Sequence, residues 1–416
     1  MLLLEDFFQL VMMVLQSFFR MILFSQDALF FWLIVLLVAF QYRKMQQSKE
    51  AWFGISGEPV WPHIGAAVLS GLVGGLAGSF LMVFVGVNLA DIGIAWLWPL
   101  AIVLMLVHPR FLCFSYAGGL ISLSYLLFGF PQVNVPQLMA LVALLHLVEA
   151  ILIFISGHVG AVPVYLKNRK GHVIGAFNLQ KLWPIPIVAL AAVSLPPDQL
   201  AGASINMPDW WPLLKPAGAA LPDQLTYVMF PVMAALGYGD LAATSRPQEK
   251  TRRSAVYLFM FSFVLLGLAV AASYAGGTAF LAALFSPLGH ELVIWLGQRE
   301  ELSGDPLYIQ PEKGVLILDV LRNSPAHQLG LASGDIILHI NGAEVNGKGD
   351  LAAALEESWG MVEVEWLEYP TRKYRRNQIR KPLHQEFGTI LAPGSLDYAM
   401  VEFHTGGLLA RWIRKR

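Results

Sequence analysis

Charge is what this sequence lacks most. Asp, Glu, Lys and Arg make up 14% of its 416 residues, where an ordinary soluble domain carries about 25%. That shortage excludes a single soluble globule. It is also uneven, with 14 basic and 13 acidic residues in 1–298 against 14 and 16 in the much shorter 299–416. The first part reads as a polytopic α-helical membrane domain and the second as a soluble appendage. A net charge of −1 leaves no basic excess to mark nucleic acid as the main partner. Cysteine is nearly absent, and the one present, Cys113, lies in an apolar run. A disulfide framework and a thiolate metal cage are thereby excluded, so the compartment has to come from topology.

What is present is a series of long apolar runs. A spanning helix needs about 20 mostly apolar residues, which places nine spans at 24–42, 64–90, 92–107, 111–130, 136–155, 184–195, 225–241, 255–274 and 278–296, the sixth of them short. The run 7–19 follows Glu5 and Asp6 and precedes Arg20; its length suits an interfacial or re-entrant helix. Lys and Arg of short loops collect on the cytoplasmic side. Nine alternating spans with the N-terminus outside put Arg43, Lys44, Lys49, Arg110, Lys167, Arg169, Lys170, Lys181, Arg246, Lys250, Arg252 and Arg253 inside. Only Arg20 and Lys215 then fall outside, and the segment after the last span is cytoplasmic.

Within the second span, Gly71, Gly74, Gly75 and Gly78 form overlapping small-xxx-small pairs that let helix backbones approach closely. They serve packing within the chain or, alternatively, a homo-oligomer face. His146 and Glu149 share one face of the fifth span at i and i+3. This intramembrane polar pair is either a hydrogen-bonded lock between helices or a proton relay or ligand pair. His290-Glu291 begins the zinc-protease pattern, but Ile294 stands where the second histidine belongs. No catalytic residues, metal or cofactor are therefore expected, and SPLGHE reads as the start or bend of the last helix, with Ser286 capping and Pro287 in the first turn.

Two connectors are unusual. The stretch 157–183 holds an alternating run, 172–177, that fits a structured hairpin or a partner site. The stretch 196–223 carries Trp210 and Trp211, which suit anchoring at the membrane surface.

From Gly314 the pattern turns to period-2 alternation and tight turns. The order strand, Ser324-Pro325-Ala326, Gly330-Leu331, Gly334-Asp335, strand, Asn341-Gly342 resembles a PDZ domain of the bacterial type found in HtrA-like and tail-processing proteases. The resemblance implies a small α+β fold, a partly open β-barrel with two helices, over 303–370. It also implies a peptide site: Leu307, Tyr308 and Ile309 would receive a strand, and Leu351, Ala354, Leu355 and Ser358 would form the helical wall. The usual loop glycine is missing, which favours an internal segment over a C-terminus as ligand. The extension 371–416 is basic and partly β; its clusters suit anionic membrane lipids or a solvated face.

Spans followed by one PDZ domain, together with FFWLIVLLVAFQYRK, HLVEA, GAFNLQKLWPIP, MPDWW, LGYGD and SPLGHELVIWLG, resemble the MinJ-type family of cell-division proteins of Gram-positive bacteria. The family implies a non-enzymatic membrane adaptor, enriched at septum and poles, that bridges a DivIVA-like scaffold and a MinD-like ATPase in division-site placement. Two other classes compete. A PDZ-regulated transporter would use His146 and Glu149 for coupling. A degenerate intramembrane protease lacks its zinc ligands.

Overall fold

The computed structural model describes residues 2–23, 28–55, 59–90, 92–168, 171–193, 207–215, 226–358, 360–382, 385–394 and 397–400. An apolar body opens with six helices: α1 (Leu2–Leu23), α2 (Ala28–Phe53), α3 (Trp61–Val85), α4 (Ile94–Val107), α5 (Phe114–Phe128) and α6 (Val135–Ser156). Strands β1 (Val162–Lys167), β2 (Val173–Val193) and β3 (Thr226–Ala242) follow, then α7 (Pro247–Tyr274) and α8 (Ala279–Ser303). Among the described residues six helices are long and apolar enough to cross a membrane, namely α1, α2, α3, α6, α7 and α8. Helices α4 and α5, read as spans, have only 14 and 15 residues. The segment 7–19, read as interfacial, is part of α1, because the helix runs past Arg20 through Met21 and Ile22 into the core.

Helix α6 is the axis of the body. Asn134 caps it by accepting from the Gln137 N–H, Pro136 occupies the first turn, and residues 137–146 are all buried. A helix apolar all round has to be surrounded.

The largest departure from expectation is at 184–195 and 225–241. The described parts of these segments are strands, not helices. β2 pairs antiparallel with β3 from Phe177↔Ala242 to Val193↔Thr226, and β1 flanks the first part of β2. Pro184 and Pro186 explain the choice, since two prolines in the run break any helix ladder. Their backbone positions face away from β3, so the ladder loses no donor there. Beyond β1 that edge of β2 is met by α3 and the residues that follow it. Val188 N–H donates to Ser79 Oγ (2.8 Å), Ala192 N–H to Asn88 Oδ1 (2.8 Å), and Leu190 C=O accepts from Leu89 N–H. Buried backbone away from water demands such partners.

This pairing explains the glycines of α3. A side chain on Gly71 or Gly75 would collide with the carbonyl oxygens of Pro184 and Pro186, and one on Gly74 or Gly78 with Leu152 or Val148 of α6. The face is spent on packing within the chain.

Pro287 lies inside α8, not at its start. Its missing N–H removes the bond to the Ala283 carbonyl, and Gly119 of α5 packs against both that carbonyl and the proline ring. Ser286 caps nothing; its Oγ donates to Ser115 C=O at 2.9 Å. Trp211 is tied to the end of α3. Its indole N–H donates to Val83 C=O at the end of α3, while Trp210 packs on Phe84.

The C-terminal unit comprises β4 (Val315–Val320), α9 (Pro325–Leu329), β5 (Ile336–Ile340), β6 (Ala343–Glu344), α10 (Lys348–Glu356), β7 (Gly360–Glu368), β8 (Lys373–Lys381) and β9 (Thr389–Leu391). The sheet order is β8-β7-β5-β4-β9, with β6 on β5. Each turn seen in the sequence has a physical task. Ser324 Oγ caps α9 by accepting from His327 N–H, and Asp335 accepts from Ala332 N–H and Tyr369 N–H. Asn341 and Gly342, both at positive φ, close the β5–β6 hairpin. Strands β8 and β9 show that the extension contributes to the same sheet.

Candidate functional site

The expected peptide site is built from two places. On the helical wall Leu351 is buried, and Ala354 and Leu355 pack partly buried against the sheet core. Ser358 Oγ accepts from Asn341 Nδ2 at 2.7 Å, which ties the end of the helix to the β5–β6 turn.

The receiving segment departs from expectation. Tyr308 is fully buried, its carbonyl accepts the Gly175 N–H of β2 at 2.9 Å, and Leu307 N–H donates to Ala243 C=O at 2.8 Å. The edge expected to be open is thus filled by the chain itself at both residues. Only Ile309 remains exposed, at 46%. Sequence reasoning missed this because β2 and the 307–309 segment are far apart in the chain. The alternating run 172–177, read as hairpin or partner site, was the available signal.

Around this bridge the unit is docked on the apolar body. Tyr165, Phe177 and Leu179 of the β1–β2 hairpin share a core with Tyr308, Leu316, Leu318, Ile390 and Ala392. Lys49 of α2 pairs with Asp319 at 3.2 Å, the Arg246 guanidinium lies over the Tyr369 ring, and Lys348 at the start of α10 reaches Tyr165 Oη at 3.2 Å. Several lysines read simply as loop charge are structural. Lys181 donates to Tyr42 Oη at 2.8 Å, and Lys250, 1% exposed, sits between Asp240 and Glu301. Glu301 also accepts from Ala243 and Thr244 N–H, fixing the exit of α8 towards the PDZ unit. Burial holds the Asp335 carboxyl above the usual aspartate range, against its two N–H donors.

A second constellation lies in the apolar body. His146 and Glu149 line one cavity of about 670 Å³, but they are not bonded to each other. His146 Nδ1 donates to Val142 C=O at 2.7 Å and its Nε2 faces Cys113 Sγ at 3.0 Å. His290 of α8 comes in from the other side, Nε2 at 3.7 Å from the same sulfur. Glu291 pairs with Arg110 at 3.2 Å and accepts from Tyr116 Oη at 2.7 Å. Residues 234–240 of β3 form another wall of the cavity, so this strand edge faces space within the body. Spacing could not reveal the convergence, because Cys113, His146 and His290 come from three separate elements.

This arrangement, helices long and apolar enough to cross a membrane carrying a docked α+β unit, defines the class as a polytopic helical protein with a PDZ domain, and the PDZ domain family matches residues 316–359. The chain is similar to the cell division topological determinant MinJ of Bacillus subtilis (strain 168), 24% identical over 370 residues covering 82% of this chain and 86% of that protein. It is likewise similar to a probable cell division topological determinant MinJ of Lacticaseibacillus paracasei, 26% identical over 348 residues covering 81% and 87%. The resemblance to MinJ-type proteins with a C-terminal PDZ domain holds along most of the chain.

Proposed function

We propose that the chain is a multi-pass membrane adaptor that recruits division proteins to the cytoplasmic face, with its PDZ unit as the recruiting module. The observation that carries this reading is the docking of a PDZ sheet on a body of six spanning-length helices, beside relatives named as topological determinants of division. A PDZ unit supplies peptide recognition without chemistry. A DivIVA-like scaffold and a MinD-like ATPase are the partners that the family resemblance implies, with anionic lipid under the basic strand β8. Of the expected peptide site, Ile309 is exposed and Ala354 and Leu355 of α10 are only partly buried, and strand addition along 307–309 requires Gly175 to yield. A fluorescent fusion tests the role: enrichment at septum and poles supports the adaptor, whereas uniform membrane signal with normally placed septa in a deletion strain removes it. The cavity lined by His146 and Glu149 gives one observation to the second reading, a PDZ-regulated transporter.

A further inference from the structure

We propose that Cys113, His146 and His290 together bind a borderline-soft transition-metal ion of the zinc class. The three ligand atoms lie within 4.8 Å of one another. With metal–sulfur and metal–nitrogen bonds of about 2.3 and 2.0–2.1 Å, a tetrahedral ion sets sulfur and nitrogen about 3.5 Å apart. The two observed separations from Cys113 Sγ, 3.0 and 3.7 Å, bracket that value.

The surroundings prepare the donors. The Val142 carbonyl can only accept, so His146 Nδ1 carries the hydrogen and Nε2 directs its lone pair at the sulfur. Fixing the far nitrogen on a carbonyl is how metal-bound histidines are held in one tautomer. Cys113 sits at the N-cap of α5 and its sulfur accepts from Ser115 N–H at 3.4 Å, a backbone contact that orients the sulfur from outside the cluster. A neutral thiol has one proton and serves one imidazole, whereas here two ring nitrogens face it. His290 Nδ1 is buried with no partner among the described residues.

Helices α5 and α8 are clamped on either side of the cluster by Ser115 with Ser286 and by Tyr116 with Glu291. The ligands are therefore positioned before any ion arrives. On coordination the Cys113 S–H bond gives its proton to water and a sulfur–metal bond replaces it. The ion with one thiolate and two neutral imidazoles carries a net +1, and Glu149, which lines the same cavity, is the carboxyl that would supply the compensating charge an apolar interior requires. Thiolate and imidazole donors select zinc-class ions over magnesium or calcium.

The full-length chain in detergent, stripped with chelator, is titrated with Co2+ and then Zn2+. The expected result is one cobalt per chain with a thiolate-to-cobalt charge-transfer band, displaced by zinc. Cys113→Ser should lose that band and His290→Gln should weaken binding at least about tenfold. Because the chain has a single cysteine, maleimide labelling of the wild-type protein reads the same site without relying on a variant that must fold. Zinc should slow labelling about tenfold or more. No charge-transfer band in the wild type, the same band in Cys113→Ser, or labelling indifferent to zinc would each overturn the site.

Discussion

Gly175 and Tyr308 are joined backbone to backbone: the Gly175 N–H meets the Tyr308 carbonyl at 2.9 Å, and a side chain at Gly175 would stand 2.9 Å from Tyr308 Cβ and 3.1 Å from Leu318 Cδ1. Glycine is required here for closeness of approach. The PDZ unit is held against the hairpin at the segment that the PDZ resemblance proposes as the receiver of a peptide strand.

Gly175→Val should loosen that contact, since overpacking of this kind costs about 1–3 kcal/mol. Hydrogen exchange around Tyr308 should quicken about tenfold, with the spans unaffected. If strand addition at 307–309 recruits the partner, the variant should capture more of a MinD-like or DivIVA-like protein in a pull-down. Capture that stays at the wild-type level would place recruitment on another surface.

Ile309 and Leu355 separate recognition from stability. Ile309 is exposed, so Ile309→Asp should melt like the parent, within about 0.5 kcal/mol, and lose partner capture. Leu355 packs on the PDZ core, so Leu355→Asp should lower the PDZ melting transition by several degrees. A folded Ile309→Asp protein with full capture would take this groove out of recruitment.

Gly65 and Gly75 make an internal control. A side chain at Gly65 would meet nothing within 4 Å, whereas Gly75 abuts the Pro186 carbonyl. Gly75→Leu should abolish monodisperse protein in detergent, and Gly65→Leu should leave the yield unchanged. Equal yields would mean that α3 and β2 are not in contact.

Topology is tested by reporter fusions. Those after Lys49, Arg253 and Met400 should report cytoplasm and one after Asp209 the exterior. The hairpin keeps the parity of the nine-span reading, because a strand pair that goes out and returns replaces two helices. A cytoplasmic signal at Asp209 would reverse the hairpin.

Asp335 gives a pH dependence of definite sign. Its folded pKa is raised by burial, so the folded unit binds the proton more tightly than the unfolded chain does. The stability advantage is full below the unfolded value of about 3.9 and is lost as pH rises through the higher folded value. The stability of the wild type relative to Asp335→Asn, from denaturant melts, should therefore fall across that window as pH increases. A relative stability that rises with pH would reverse the assignment.

The PDZ unit was legible because its turn contacts begin locally: Ser324 accepts from His327 N–H, Asp335 from Ala332 N–H, and Asn341 with Gly342 closes one hairpin; the longer reaches of Asp335 to Tyr369 and of Asn341 to Ser358 were not legible. Helices α2, α3, α6, α7 and α8 were legible from apolar length. The hairpin was not, since an apolar run of mostly small and β-branched residues suits a short span or a buried strand equally well, and only Pro184 and Pro186 argued for the strand. The cluster of Cys113 with two histidines was illegible for a different reason. It forms where α6 and α8 pack beside the start of α5, and packing is not a spacing.

The two prolines of β2 also determine where the hairpin is allowed to stop. Slipping the strand by one residue would turn both rings into the β3 ladder, removing two donors and moving every side chain to the opposite face. A slip by two would bring Pro186 to the place where Ser79 receives the N–H of Val188, or move Val188 past it. The prolines and Ser79 restrict where the strand can seat, and because it is continuous from Gly175 to Leu190, that seating sets how far the PDZ unit stands from the C-terminal end of α3, as a ruler clamped at both ends.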